Sequence, residues 1–388
     1  MIKILNKNCI EGLKEVENNS VDLTVTSPPY DNLRTYKDGV GDRWDFETFK
    51  LIANELYDVT KEGGVIAWVV GDAVIKGSET GTSFRQALYF IELGFQLVDT
   101  FIYEKNGSSF PSRRDSNRYS QIFEYIFVFS KGEPKTYNLK NKKPLIDKNR
   151  VIFKTDFYED LEKTWEGCKF FDNESNEVID FKELNPEKGD VVIYKISNKN
   201  KEKCFKIPLE FMENGYFLHD TMIVEEVDNY SFVFVFSYKS KPKKASLICD
   251  KPNRWAGHKS FGTSKQRNKD GELIDSEIKP VPDFSPRNNI WSYDETKPYN
   301  IWKYYTGKNY STKDDIAFKH PAIFPERLCE DLVKVFSNEG ELVLDPFSGS
   351  GTTAKICKLN NRNFIGFEIS EEYCKISEER LKLLNNEE

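Results

Sequence analysis

The chain has 388 residues, of which 38% are hydrophobic and 31% charged, with a formal net charge of −7. This length and composition suit one large or two ordinary globular domains and exclude a disordered chain. No run of 18 apolar residues exists, which argues against a membrane span, and the seven cysteines and three histidines are scattered with no Cys-x-x-Cys, which argues against zinc and for a reduced, cytoplasmic protein.

In chain order, Lys3–Leu5 reads as a short strand entered at once, without a signal-peptide pattern, and Asn8–Leu13 as a turn and short helix. Val21–Thr26 is a second strand that runs into Ser27-Pro28-Pro29-Tyr30. Two prolines end that strand abruptly, because neither can donate to a ladder. The carbonyls beside them are aimed and unspent, a hydroxyl precedes them and an aromatic ring follows. Such a turn suits a flat ligand carrying an amino group: Ser27 and the Pro28 carbonyl accept its N–H bonds and Tyr30 stacks on its face.

Residues 31–48 are polar, with Arg34, and read as a loop beside that pocket. A helix over 49–59, a buried strand over 65–70, a helix over 84–93 closed by Gly94, and strands over 97–103 and 125–129 able to pair as a hairpin follow. The segment between those last strands holds Arg113, Arg114 and Arg118, suited to phosphate or base contact. From about 135 to 285 the sequence turns polar and rich in lysine and asparagine. Net charge reaches +6 over 131–154 and +9 over 239–269, patches that can attract a phosphate backbone even on an acidic chain. Trp255, His258, Arg254, Lys265, Gln266 and Arg267 offer bidentate and stacking chemistry there.

The stretch around which the chain is organised comes late. Leu342-Val343-Leu344 reads as a buried strand, Asp345-Pro346-Phe347-Ser348-Gly349-Ser350-Gly351-Thr352-Thr353 as a turn, and the residues from Ala354 as a helix. Glycine there permits positive φ and close ligand approach, and the helix start offers unpaired N–H groups. A further strand over 363–367 ends at Glu368, 23 residues past Asp345 (368 − 345), near the usual distance for an acid that holds a ribose. No Gly-Lys-Ser/Thr follows the glycines, so a P-loop is excluded and a nucleoside cofactor is the better reading.

Thr-Ser-Pro-Pro-Tyr (26–30) resembles the catalytic motif of the DNA amino-methyltransferases, and Asp-Pro-Phe-Ser-Gly-Ser-Gly-Thr-Thr (345–353) resembles their S-adenosylmethionine motif. The order, catalytic motif first, is similar to the permuted beta class, and the likeness covers roughly 1–135 and 285–388. The resemblance implies an α/β, Rossmann-like methyltransferase fold with a mostly parallel seven-stranded sheet, circularly permuted, and an inserted target-recognition region. It divides the chain into a catalytic half (1–135), an insert (136–285) and a cofactor half (286–388), with Asn289–Trp291 returning the chain to the core. It implies that Ser27, Pro28, Pro29 and Tyr30 hold the target base. Asp345, Phe347, Gly349 and Gly351 would line S-adenosylmethionine, Thr352 would cap its carboxylate, Glu368 would bind its ribose and Asn8, where the family often has Asp, would meet its adenine. Arg34, Arg113, Arg114, Arg118, Arg254, Lys265 and Arg267 are the DNA-contact candidates, with no metal.

The implied activity is methyl transfer to an exocyclic amino group of a base flipped from double-stranded DNA. Ser27 in place of Asp leans toward the cytosine 4-amino group, with the adenine 6-amino group as the alternative. A DNA-binding relic and an amide or RNA methylase are the rival classes; the intact motifs disfavour the first and the motif order the second. A cognate restriction endonuclease and a homodimer are the further partners considered. Finally, Gly94–Thr100 recurs as Gly215–Thr221, Phe84, Leu88 and Phe90 recur as Phe205, Leu209 and Phe211, and Ile126–Ser130 recurs as Val233–Ser237. This predicts that 185–240 form a strand–helix–hairpin unit like 60–130, without Pro-Pro-Tyr.

Overall fold

The computed structural model describes residues 1–30, 44–106, 118–138, 153, 156–172, 179, 181–226, 229–242, 245–252, 256–257, 265–267, 273–275, 283–285, 287, 290–292 and 301–384. Its main sheet runs Ile2–Asn6, Asn363–Glu368, Leu342–Asp345, Val21–Thr26, Thr60–Val70, Phe123–Ser130, Gln96–Lys105, Ile301–Tyr304. Every pairing is parallel except those of Phe123–Ser130, which is antiparallel to both neighbours. The seven expected strands are present, and Ile301–Tyr304 adds an eighth at the edge. The amino-terminal strand lies beside the carboxyl-terminal one, as a permuted chain requires.

Strands buried on both faces need continuous apolar runs. Val65–Val70 supplies one, with every side chain at most 2% exposed. Helices Phe46–Val59 and Thr82–Glu92 press Phe49, Ile52, Leu56, Phe84 and Phe90 onto one face. Glu326–Phe336 and Thr352–Leu359 press Leu328, Leu332, Val335 and Ile356 onto the other. The helix expected from residue 49 begins at Phe46, because Asp45 caps it by accepting from the Thr48 N–H at 2.7 Å. The strand expected over 65–70 begins earlier, at Thr60, and takes in Lys61–Gly64. A Cβ on Gly64 would sit 2.9 Å from the Val21 carbonyl, so only glycine admits that approach.

A second sheet, of five strands, runs Ile290–Ser292, Tyr216–Glu226, Asn229–Tyr238, Val191–Ser197, Lys169–Asp172. The insert boundary of 285 is corrected here. Ile290–Ser292 pairs in parallel with Tyr216–Glu226 in this second sheet, and Ile301–Tyr304 is the strand that returns to the main one. Two similar Ile-Trp segments compete for one reading in the sequence, and register separates them. One continuous core cluster joins the two sheets through Phe84, Tyr125, Phe127, Phe205, Phe232 and Phe234. Among the described residues no helix is long and apolar enough to cross a membrane.

Candidate active site

Strands Val21–Thr26 and Leu342–Asp345 are parallel neighbours, with Leu23 opposite Val343 and Thr24 opposite Leu344. Ligands in such sheets bind outside the carboxyl ends of the strands, where chain direction switches. Both motifs begin there. A single cavity of about 840 Å³ is lined by Ser27, Pro28, Pro29 and Tyr30 on one side and by Asp345, Phe347, Gly349 and Thr352 on the other, with Glu368 and Asn8. That volume suits a ligand of nucleoside-cofactor size.

Asp345 is buried and held by three hydrogen bonds from the protein. Its Oδ1 accepts from Thr26 Oγ1 at 2.7 Å and from the Phe347 N–H at 3.0 Å, and its Oδ2 accepts from Thr353 Oγ1 at 2.7 Å. Burial pushes this carboxyl up, against the lowering effect of those three hydrogen bonds. Asp345 therefore ties the cofactor turn to the residue just before Ser27. Glu368 Oε2 accepts from the Gly349 N–H at 2.9 Å and Oε1 from the Ser370 N–H at 2.8 Å. Burial raises its carboxyl as well. Each oxygen keeps a second lone pair that ribose hydroxyls can use.

Other expectations change. Gly351 does not line the cavity; its φ is +75°, and a Cβ there would lie 2.6 Å from Ser377 Cβ on helix Glu371–Leu384. That glycine serves packing, not ligand approach. Gly349, with φ +50°, does line the cavity and would crowd His320 Nε2 at 3.1 Å. Thr352 Oγ1 accepts from Arg380 Nη1 at 3.1 Å, which leaves its hydroxyl hydrogen to donate to a carboxylate. Buried Arg380 also donates to the Ser350 carbonyl, Asp314 and Glu326, and Lys355 pairs with the same two carboxylates. This ionic knot holds the turn from behind. Asn8 caps helix Cys9–Leu13 through Oδ1, so its amide nitrogen is what it offers a ligand. Ser348 is among the lining residues, and its Oγ is buried without a hydrogen-bond partner among the described residues, 2.9 Å from where a Cβ on Gly366 would sit.

On the catalytic side, Ser27 Oγ and Tyr30 Oη lie 2.7 Å apart. Tyr30 Oη also donates to Glu124 Oε2 at 3.1 Å, and Glu124 Oε1 accepts from Lys105 Nζ at 2.7 Å. Burial, and after it the Glu124 charge, push the Tyr30 phenol well above its usual range, so it stays protonated. The Val69 carbonyl lies 3.3 Å from the same Oη, and either hydroxyl of the Ser27–Tyr30 pair can be the donor between them. The sequence reading missed Glu124, Lys105 and His320. Glu124 and Lys105 interrupt the apolar runs of the two hairpin strands near their ends, a signal that was available.

Arg118 is corrected from a DNA contact to a structural ion pair. It is 6% exposed, with Nη1 donating to Glu79 Oε1 at 3.2 Å and Nη2 to the Gly77 carbonyl at 3.0 Å. Arg34, Arg113, Arg114, Arg254, Trp255 and His258 lie outside the described residues. Lys265 and Arg267 stand on strand Lys265–Arg267, antiparallel to Leu273–Asp275.

A model of the DNA methylase family of N6- and N4-methyltransferases matches residues 21–214 and 187–379. The chain belongs to this family and is a DNA methyltransferase acting on exocyclic amino groups. It is 39% identical, over 364 residues, to the orphan methyltransferase M.BamHII of Bacillus amyloliquefaciens, covering 94% of this chain and 89% of that protein. It is 42% identical over 88 residues to the type II methyltransferase M.HpaI of Haemophilus parainfluenzae, covering 22% of this chain and 26% of that one. Among solved structures it aligns with the PvuII DNA methyltransferase, described as cytosine-N4-specific, at a TM-score of 0.44 and 17% identity, covering 97% of this chain and 85% of that one. It aligns with the M1.HpyAVI–SAM complex at 0.39 and 16%, covering 98% and 100%.

Two outcomes follow from this geometry. Arg118→Met leaves Glu79 charged and buried, so chemical denaturation should show a loss of ~3–5 kcal/mol. The salt slope of DNA binding should not change, since a buried arginine releases no phosphate counterion. Gly351→Ala should lower stability by about 1–3 kcal/mol through overpacking against Ser377. The loss should be non-additive with Ser377→Gly in a double-mutant cycle, and additive losses would leave the φ of +75° alone as the reason for glycine.

Proposed function

We propose that this chain transfers a methyl group from S-adenosylmethionine to the 4-amino group of a cytosine flipped out of double-stranded DNA. The observation that carries the reading is the one cavity in which Ser27–Tyr30 face the turn after Asp345. Residues present fit the cofactor: the ribose acid Glu368, Asn8, Phe347 and the Gly349 turn all line that cavity. When bound, S-adenosylmethionine supplies an electrophilic methyl group on a sulfonium sulfur.

The chain's own residues do the rest. An exocyclic amine is a poor nucleophile because its lone pair is delocalised into the ring. Ser27 Oγ and the Pro28 carbonyl accept its two N–H bonds and draw it toward tetrahedral geometry. Tyr30 stacks on the base, its ring angle held by Ser27 and Glu124. The catalysis is positioning and electrostatics. Ser27, a neutral acceptor, suits the cytosine 4-amino group. Arg34, Arg113, Arg114, Arg254, Lys265 and Arg267 are assigned to the duplex, with Arg118 removed from that set.

Radiolabelled methyl transfer followed by nucleoside chromatography tests this reading. Wild type should yield N4-methylcytosine; N6-methyladenine alone would overturn the cytosine assignment. Ser27→Ala and Glu124→Gln should each slow transfer by a barrier of ~1.5–3 kcal/mol, with cofactor affinity unchanged in calorimetry. Transfer at the wild-type rate in both would remove the Ser27–Tyr30–Glu124 relay from the mechanism.

A further inference from the structure

The second sheet repeats part of the first residue by residue. Val191–Ser197, Asn229–Tyr238 and Tyr216–Glu226 pair antiparallel in that order, as do Thr60–Val70, Phe123–Ser130 and Gln96–Lys105. Val65 faces Ser130, and Val191 faces Ser237. Leu97 faces Phe129, and Leu218 faces Phe236. Each strand then slips by one residue, at Val98 and at His219, before Asp99 meets Val128 and Asp220 meets Val235. A β-bulge is a specific feature of a strand pair, and a shared strand–helix–hairpin plan does not dictate its position.

The match extends to both flanks. On one edge Ile301 faces Ile102 and Ile290 faces Ile223, each followed by a tryptophan. On the other, Lys169–Asp172 runs parallel to Val191–Ser197 as Val21–Thr26 does to Thr60–Val70, and that register puts Asp172 in the place of Ser27. Helices Phe157–Thr164, Phe181–Leu184 and Lys201–Glu213 fall where Cys9–Leu13, Phe46–Val59 and Thr82–Glu92 fall in the first copy. The family model matches twice, and both matches include residues 187–214.

The two copies also pack symmetrically. Matched residues Phe84 and Phe205 stack on each other, centroids 5.9 Å apart at 19°. Phe84 meets Phe234 edge-on at 5.8 Å, and reciprocally Phe205 meets Phe127 at 5.1 Å. Matched residues Tyr125 and Phe232 lie 6.2 Å apart. Residue i touching j while j touches i is the signature of an isologous, two-fold interface. The second sheet holds no counterpart, among the described residues, of Ile2–Asn6, Asn363–Glu368 and Leu342–Asp345, the last two of which carry Glu368 and the cofactor turn. Where the first copy has Ser27, Val69 and Lys105, the second has Asp172, Lys195 and Glu226, with Lys195 Nζ 3.9 Å and 3.1 Å from the two carboxylates.

We propose that residues 157–292 are a second copy of this chain's own catalytic half, docked about a local two-fold axis where a partner subunit would sit. The chain then acts as a monomer with one cofactor site, because the face that would recruit a second chain is already covered by its own copy. This holds whichever base is methylated.

Wild-type protein tests it without any substitution. Light scattering at the concentrations used for methyl transfer should give the mass of one chain. Calorimetry should give one S-adenosylmethionine per chain, and initial rate should rise with the first power of enzyme concentration. A dimer mass, two cofactor equivalents or a second-power dependence would each overturn the proposal. Phe84→Leu and Phe205→Leu supply a second arm: an isologous contact predicts matching falls in thermal midpoint and a combined fall smaller than their sum. Unequal, additive falls would contradict the two-fold relation.

Discussion

Everything at the candidate site depends on one buried contact, the hydrogen bond from Thr26 to Asp345. It joins the last residue of the strand before Ser-Pro-Pro-Tyr to the last residue of the strand before the glycine turn. The two residues are far apart in the chain, and only the permuted sheet makes them neighbours. A carboxylate removed from water needs hydrogen-bond donors, and here Thr26, Thr353 and the Phe347 N–H supply three. The same network that satisfies the charge sets the distance between the two halves of the cavity. The site's geometry is thus a by-product of solving a burial problem.

A second layer holds the turn from the side away from the cavity. Arg380 and Lys355 gather Asp314, Glu326, the Ser350 carbonyl and the Thr352 hydroxyl into one buried knot. Such clusters give little net stability but are costly to break singly, so they enforce one arrangement. On the other side of the cavity Glu124, itself paired with Lys105, fixes the Tyr30 phenol beside Ser27 Oγ. Catalysis by positioning demands this kind of rigidity.

The fold and the two motif segments were legible because their signals are local. Apolar runs bounded by prolines or glycines mark Val21–Thr26, Val65–Val70 and Leu342–Asp345, and residue spacing alone points to Glu368. What stayed hidden depends on tertiary approach. Nothing near Gly351 in sequence says that Ser377 presses on it, and nothing near Thr352 says that Arg380 donates to it. Arg118 sits in a basic loop sequence, yet the second sheet buries it beside Glu79, whose other oxygen accepts from Thr221. The internal repeat showed in sequence only as faint matches. Its register and bulge, which distinguish it from chance, exist only once strands pair.

The most direct measurement is a crystal structure of the chain with a methyl-donor analogue such as sinefungin and a duplex carrying its target site. The account predicts the analogue against Phe347, Gly349 and Glu368. It predicts one base out of the helix, its amino group bonded to Ser27 Oγ and the Pro28 carbonyl and aimed at the analogue. An analogue seated elsewhere, or a flipped base lying away from Ser27 and Tyr30, would contradict it.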